Sequence, residues 1–245
     1  GERGERRQAV GPAGGRRAID DMAIGAPALG ELLAALVTAW HAQGGAEVAI
    51  ESVGGVDAAR RVAAGEVFDL VVLAADAIER LAAAGAVAAD SVTPLLRSEV
   101  AIAVRAGAPR PEVGSEAALR SAVLAARRIG HSTGPSGSAL LALFERWGLR
   151  AALQPRLVQA PPGVPVGALV ASGEVELGFQ QLSELQRLPG IAVLGTLPPA
   201  LAIVTVFSGA VAAASRQPQA TRALLDFLRS PATAVLAREH GMAPA

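Results

Sequence analysis

Apolar positions along this chain follow two periods that take turns. Over residues 29–43 they fall at helical spacing, with Leu32, Leu33, Leu36, Val37 and Trp40 on one face, and Gly44-Gly45 closes the run. Residues 46–53 alternate as a strand does, and Gly54-Gly55 then turns the chain into a short helix over 57–64. Residues 68–74, FDLVVLA, form a nearly continuous apolar run, the pattern of a strand buried on both faces of a parallel sheet. A helix over 76–84 follows, with Asp76 as its acidic cap. A weaker strand, interrupted by Asp20 and Asp21, is expected over 19–24.

The alternation continues into the second half. Strands are expected over 97–104, 128–132, 156–159, 175–180, 191–195 and 201–208. Helices are expected over 116–126, 139–147, 166–171, 219–228 and 232–239. Such alternation predicts an α/β fold with mostly parallel sheets. Residues 1–17 are basic and Gly-rich with no apolar stretch of leader type, and are expected to be a disordered extension. The longest apolar stretch, 202–214, falls short of the ~18 residues expected of a membrane span.

Composition narrows the picture. The 245 residues suit one large domain or two modest ones. Hydrophobic residues make up 51%, yet there are only two Trp, five Phe and no Tyr, so the core must be built from Ala, Val, Leu and Ile. Basic and acidic residues balance at 22 each, every basic one being Arg. That balance gives no sign of a nucleic-acid or membrane-surface partner. The absence of Cys excludes thiol catalysis, Cys-based zinc sites and disulfides.

Three strand-to-helix junctions carry the candidate chemistry. At Ser52-Val53-Gly54-Gly55-Val56-Asp57, two glycines let the backbone turn sharply and present N–H groups at the next helix. The plainer alternative is a tight turn capped by Asp57. At Ser132-Thr133-Gly134-Pro135-Ser136-Gly137-Ser138, hydroxyls and amides crowd the mouth of a helix, an uncharged anion cradle rather than a Walker loop, since no Lys follows. There a side chain on Gly137 is expected to take up the ligand's space. At Ala160-Pro161-Pro162-Gly163-Val164-Pro165, three prolines stiffen the loop, and the strand beyond the next helix ends in Gln180-Gln181, where α/β proteins place ligands. A Ser/Gly loop and solvated surface amides are the plainer alternatives for these two. Of the three histidines, only His131 borders such a junction. The chain has no HExxH, GxSxG or GxGxxG motif and no run of metal ligands, so neither metal nor cofactor is expected.

At these junctions the chain resembles the type 2 periplasmic binding proteins, specifically the molybdate-binding-protein-like group. The resemblance rests on ESVGGVDAARRVAAGEVFDLVVLAADAIERLAAAGAV, STGPSGSALLALFERWG, QAPPGVPVGALVASGEVELGFQQLSEL and LLDFLRSPATAVLAREHGM, and spans about residues 22–245. It implies two α/β lobes joined by a two-strand hinge, with the ligand between them. By analogy the crossings fall near 99–103 and 203–207, giving lobe one as 18–100 plus 206–245 and lobe two as 101–205. It also implies ligand contacts at Gly54, Gly55, Val56, Ser132, Thr133, Ser136, Gly137, Pro165, Gln180 and Gln181. The chain departs from the molybdate pattern in several places. Ala28 stands about where that group offers a hydroxyl, Gly55 about where it has Ser, and Gln181 near its Tyr. Ser136 falls about where the group uses a backbone amide, and Pro165 has no N–H to give. STGPSG and PPGVP look closer to the related subgroup that includes aconitate isomerase.

Three functions are consistent with this reading. The first is an extracytoplasmic, monomeric solute-binding protein that closes on a small oxyanion or organic acid and serves ABC-type uptake. The second is an isomerase of a di- or tricarboxylate, with His131 and Asp57 as the base candidates. The third is a cytoplasmic ligand sensor, which the missing leader would suit.

Overall fold

The first strand and its neighbours set the frame. In the computed structural model, which describes residues 16–21 and 28–245, β1 (Arg16–Asp21) lies between β2 (Val48–Val53) and β3 (Leu70–Ala74), parallel to both. The first strand thus starts before the expected residue 19 and takes in Arg16 and Arg17, part of the stretch expected to be a disordered extension. Arg17 pairs with Glu51 and Glu66, while the rest of that stretch and residues 22–24 lie outside the described residues. The FDLVVLA run behaves as its pattern demands. Leu70 and Val72 enter one core, and Val71 and Leu73 the other.

Helices α1 (Ala28–Ala42), α2 (Gly55–Ala63) and α3 (Ala75–Ala83) follow these strands. Asp76 is not the cap of α3. Strand β3 runs straight into the helix, Ala74 takes the cap position, and Asp76 falls in the first turn. Asp57 likewise lies inside α2, paired with Arg60, while Gly54 holds the cap position.

Strand β4 (Thr93–Arg105) has thirteen residues and serves two partner sets. Its first half pairs antiparallel with β9 (Val204–Val211), from Thr93↔Gly209 to Glu99↔Val204. Its second half pairs antiparallel with β7 (Leu177–Gln181) and β8 (Ile191–Thr196). Beyond β7 lie β5 (Ile129–His131) and β6 (Leu157–Gln159), and β5 is parallel to both. The sheet order is β2-β1-β3-β9-β4-β7-β5-β6, with β8 and the short β10 (Ala243–Pro244) also on β4. Each end of the sheet is a parallel wing, and the antiparallel pairings gather on β4 and β9.

Each wing has its own cores. In the first, Leu32, Leu36, Leu70 and Val72 pack with Leu224, Leu225 and Leu228 of α9 (Pro218–Leu228), near the final helix α10 (Ala234–Glu239). Ala58, Val62, Phe68, Val71 and Ile78 fill the opposite face. In the second wing, Ile102, Ile129 and Phe179 meet Leu119 and Val123 of α4 (Glu116–Ala125) and Leu140 and Phe144 of α5 (Pro135–Arg146). On the other face, Ala101 and Ala103 meet α7 (Val166–Ala171). Small residues make that approach possible. A Cβ at Gly178 would stand 2.4 Å from Val170 Cγ2, and one at Gly130 would stand 3.1 Å from Val175 Cγ2. Burying each large aliphatic side chain is worth ~1.5–3 kcal/mol before chain entropy is counted. Short helices α6 (Arg150–Leu153) and α8 (Leu182–Leu185) have too few residues for a periodic signal.

Candidate functional site

Parallel register brings the candidate junctions to common edges. His131 of β5 lies level with Gln159 of β6 and Phe179 of β7, so the chain leaves all three strands at one edge of the second wing. In the first wing Asp21 lies level with Val53, so β1 and β2 end at the same edge, from which the turn into α2 rises. Carboxyl ends of parallel strands are where α/β proteins bind ligands, because helix N-termini present N–H groups there.

At the first junction Gly54 has φ −56° and open space where a Cβ would stand. Among the described residues no side chain caps α2, so the first N–H groups of the helix, from Gly55 on, have no side-chain acceptor. Val56 is 88% exposed, unusual for a large apolar residue in a helical turn.

The second junction differs from the expected loop. Helix α5 begins at Pro135, not near 139, so Ser136, Gly137 and Ser138 belong to its first turn. Proline at the first helical position, where no N–H is needed, explains the early start. Gly134 reaches it with φ 90°, a conformation that favours glycine. The Ser132 and Ser136 hydroxyls are 3.2 Å apart. Gly137 has no side chain for a reason internal to the turn. A Cβ there would come within 1.9 Å of the Ser132 carbonyl oxygen, so the protein, not a ligand, fills that space.

His131 is buried and its Nδ1 lies 3.1 Å from the Ser132 carbonyl. Burial holds its pKa below the usual range, with Arg150 adding to the shift and the Ser132 contact opposing it. A neutral, enclosed ring tied to the junction's backbone positions that junction. Asp57, the other base candidate, spends its carboxylate on Arg60 at the surface.

At the third junction Pro165 holds the cap position of α7, and Gln180 reaches across to it. Gln180 Oε1 accepts from the Val166 N–H at 3.0 Å, a bond buried between strand and helix. Gln180 thus supplies the cap that Pro165 cannot. Gln181, half-buried, ends β7 opposite Val100 and leads into α8. The structure joins Ser132 to Ser136 and Gln180 to the Pro165 turn. Among the described residues no hydrogen bond or ion pair links either pair to Gly54, Gly55 or Val56, and Thr133 stands exposed beside Ser132.

One group on these edges carries no motif. Glu184 of α8 is 5% exposed, and its Oε1 accepts from the Ala28 N–H of α1 at 3.0 Å, joining the two wings. Arg187 Nη1 lies 3.8 Å from its other oxygen, and Arg187 also binds Glu31 of α1 at 2.6 Å. Burial raises the Glu184 pKa, with the Ala28 N–H and Arg187 opposing and Glu31 reinforcing. An acidic residue in a four-residue helix leaves no periodic mark, and its partner is 156 positions away.

Comparison with known proteins places this arrangement. The family model for bacterial extracellular solute-binding proteins matches residues 23–243. Aconitate isomerase from Pseudomonas sp is 39% identical over 185 residues, which is 75% of this chain and 70% of that protein. Among solved structures, a domain assigned to a molybdenum ABC transporter of Clostridium difficile is similar, with TM-score 0.82, 16% identity and coverage of 94% and 99% of the two chains. The periplasmic molybdate-binding protein of Azotobacter vinelandii matches with TM-score 0.67 at 19% identity, covering 93% of this chain and 98% of that one. The sulfate-binding protein of Mycobacterium tuberculosis matches with TM-score 0.67 at 20% identity, covering 94% and 87%.

Proposed function

The chain belongs to the family of bacterial extracellular solute-binding proteins, and from that premise we propose that it closes on a small organic acid held between its two wings. The wings serve as lobes in this reading: 18–100 plus 206–245 as one, 101–205 as the other, with β4 and β9 as the hinge. The segregation of the buried clusters supports that division. The observation that carries the function is the meeting of the two strand edges at Ala28 and Glu184, with the starts of α2 and α5 on those edges lacking any side-chain cap. Aligned backbone dipoles bind an anion with little reorganisation.

An organic acid suits the lining better than an inorganic oxyanion. Val56 and Val164 are exposed apolar residues on the first and third junctions, and in this reading they meet a carbon skeleton. Gly54, Gly55, Ser132, Thr133, Ser136 and Gly137 are the proposed anion contacts, with Pro165, Gln180 and Gln181 shaping the far wall. We also assign it an extracytoplasmic, monomeric life and delivery to an ABC-type membrane component. The mature N-terminus from the native organism tests the location.

Thermal-shift titration tests the ligand class. A ligand at 100 times its dissociation constant adds ~2.7 kcal/mol of stability. Aconitate, citrate or a related acid is expected to raise Tm more than molybdate or sulfate at equal concentration. A larger rise with either oxyanion overturns the reading.

The 39% identity to aconitate isomerase favours a second reading, isomerisation of an unsaturated tricarboxylate. Such a reaction needs a base beside an acidic C–H. Incubation with cis-aconitate, followed by chromatography for the trans isomer, decides it. No conversion above the protein-free rate removes this reading and leaves the binding one.

A further inference from the structure

We propose that Glu184 decides which anions the cleft accepts: its carboxylate already fills the anion position at the start of α1, so a ligand meets it only through a hydrogen shared between the two. This inference rests on the organic-acid reading above. Helix α1 is fifteen residues long, and its first described N–H group would attract an anion. What stands there is the protein's own carboxylate, delivered from the opposite wing and bonded to Ala28 N at 3.0 Å.

The surroundings hold it in place without neutralising it. Arg187 is the facing cation, at 3.8 Å, but it is committed to Glu31 at 2.6 Å. Glu99 of the adjacent β4 pairs with Arg97. At the end of α10 the Glu239 carbonyl accepts from Gln186 Nε2, and just beyond it Gly241 packs against Ser183. Among the described residues, the charged groups that act on Glu184 are Arg187 and, behind it, Glu31.

A buried carboxylate meeting a second anion is strongly repelled unless one proton is shared between them. Burial already pushes the Glu184 carboxyl toward its protonated form. A di- or tricarboxylic acid, whose later ionisations lie in the mildly acidic range, supplies such a proton or a hydroxyl donor. Sulfate and molybdate are fully ionised near neutral pH and, as weaker bases, hold a shared proton less firmly than the last carboxylate of such an acid. The same side chain that ties the wings thus selects a ligand that is partly protonated, or hydroxylated, at the end facing α1.

The test is calorimetry with trans-aconitate, citrate, sulfate and molybdate, on the parent and on Glu184→Gln, between about pH 5 and pH 7.5. Gln keeps an oxygen to accept from Ala28 N and removes the charge. The parent is expected to take up close to one proton with aconitate or citrate, seen as a heat that depends on the buffer. Its affinity should fall as pH rises, by up to about tenfold per unit. Glu184→Gln should bind sulfate and molybdate at least tenfold more tightly than the parent and lose the pH dependence for the acids. If the parent binds an acid without proton uptake, or the variant keeps the parent's preferences, this inference falls and the organic-acid reading stands. If the parent prefers sulfate or molybdate, both fall. Should Glu184→Gln fail to fold, proton uptake by the parent decides alone.

Discussion

Gly54 and Gly137 both stand at the start of a helix, yet a side chain would meet opposite surroundings. At Gly54 a Cβ finds nothing within 4 Å, and at Gly137 it meets the Ser132 carbonyl oxygen at 1.9 Å. Gly54→Ala should leave the unfolding free energy within about 0.5 kcal/mol of the parent. Gly137→Ala should cost about 1–3 kcal/mol, because a backbone carbonyl must move. Equal melting curves for the two variants would contradict this geometry. His131 gives a residue-scale pH effect. Burial lowers its pKa, so the unfolded chain binds a proton more readily than the folded one. Its contribution is fully present above the ordinary value of ~6.5 and is lost as pH falls through the lowered folded value. The parent should therefore lose more Tm than His131→Gln as pH falls from ~6.5 to that lowered value. Parallel curves would show that the ring stays solvated. The Ser, Thr and Gly at 132–137 were legible as a candidate site. The reason for Gly137 was not, because the clash runs to an oxygen placed by the turn itself.

At the scale of elements, α7 depends on the strand beside it. Proline at 165 cannot cap the helix, and Gln180 Oε1 accepts from Val166 N instead. Gln180→Leu leaves that buried N–H unpaired and should cost about 1–3 kcal/mol. Gln180→Glu keeps an acceptor and should recover part of the loss. Urea denaturation of the three proteins checks the order, and a Leu variant as stable as the parent refutes the cap. Most elements were legible from period alone, including α1, β3 and α7. The start of α5 was not, because Pro135-Ser136-Gly137 has loop composition, and only the fit of its first turn against Ser132 makes it helical.

For the whole molecule, the proposed site predicts where a ligand is felt. Hydrogen exchange with a validated acid present should slow at the first turns of α1, α2 and α5, which lie far apart in sequence. Amides elsewhere in the two wings, in β2 for example, should change little. Slowing confined to one wing would argue against binding between them. The whole-molecule contact at Ala28 and Glu184 depends on bringing together residues 156 positions apart. That separation is why it carried no local signal.

The order of hydrophobic and polar residues was enough to specify α/β architecture, a core of aliphatic residues and the three junctions rich in Gly, Ser and Pro. Those properties depend on neighbours within a few residues, through helix and strand periods and through backbone freedom. Which strand edges face each other, which glycines make room for a helix or a carbonyl, and which carboxylate stands at the start of α1 depended on the folded chain. These are contacts between distant segments, set by register along β4 and β9 and by the packing of each wing, and no local period encodes them.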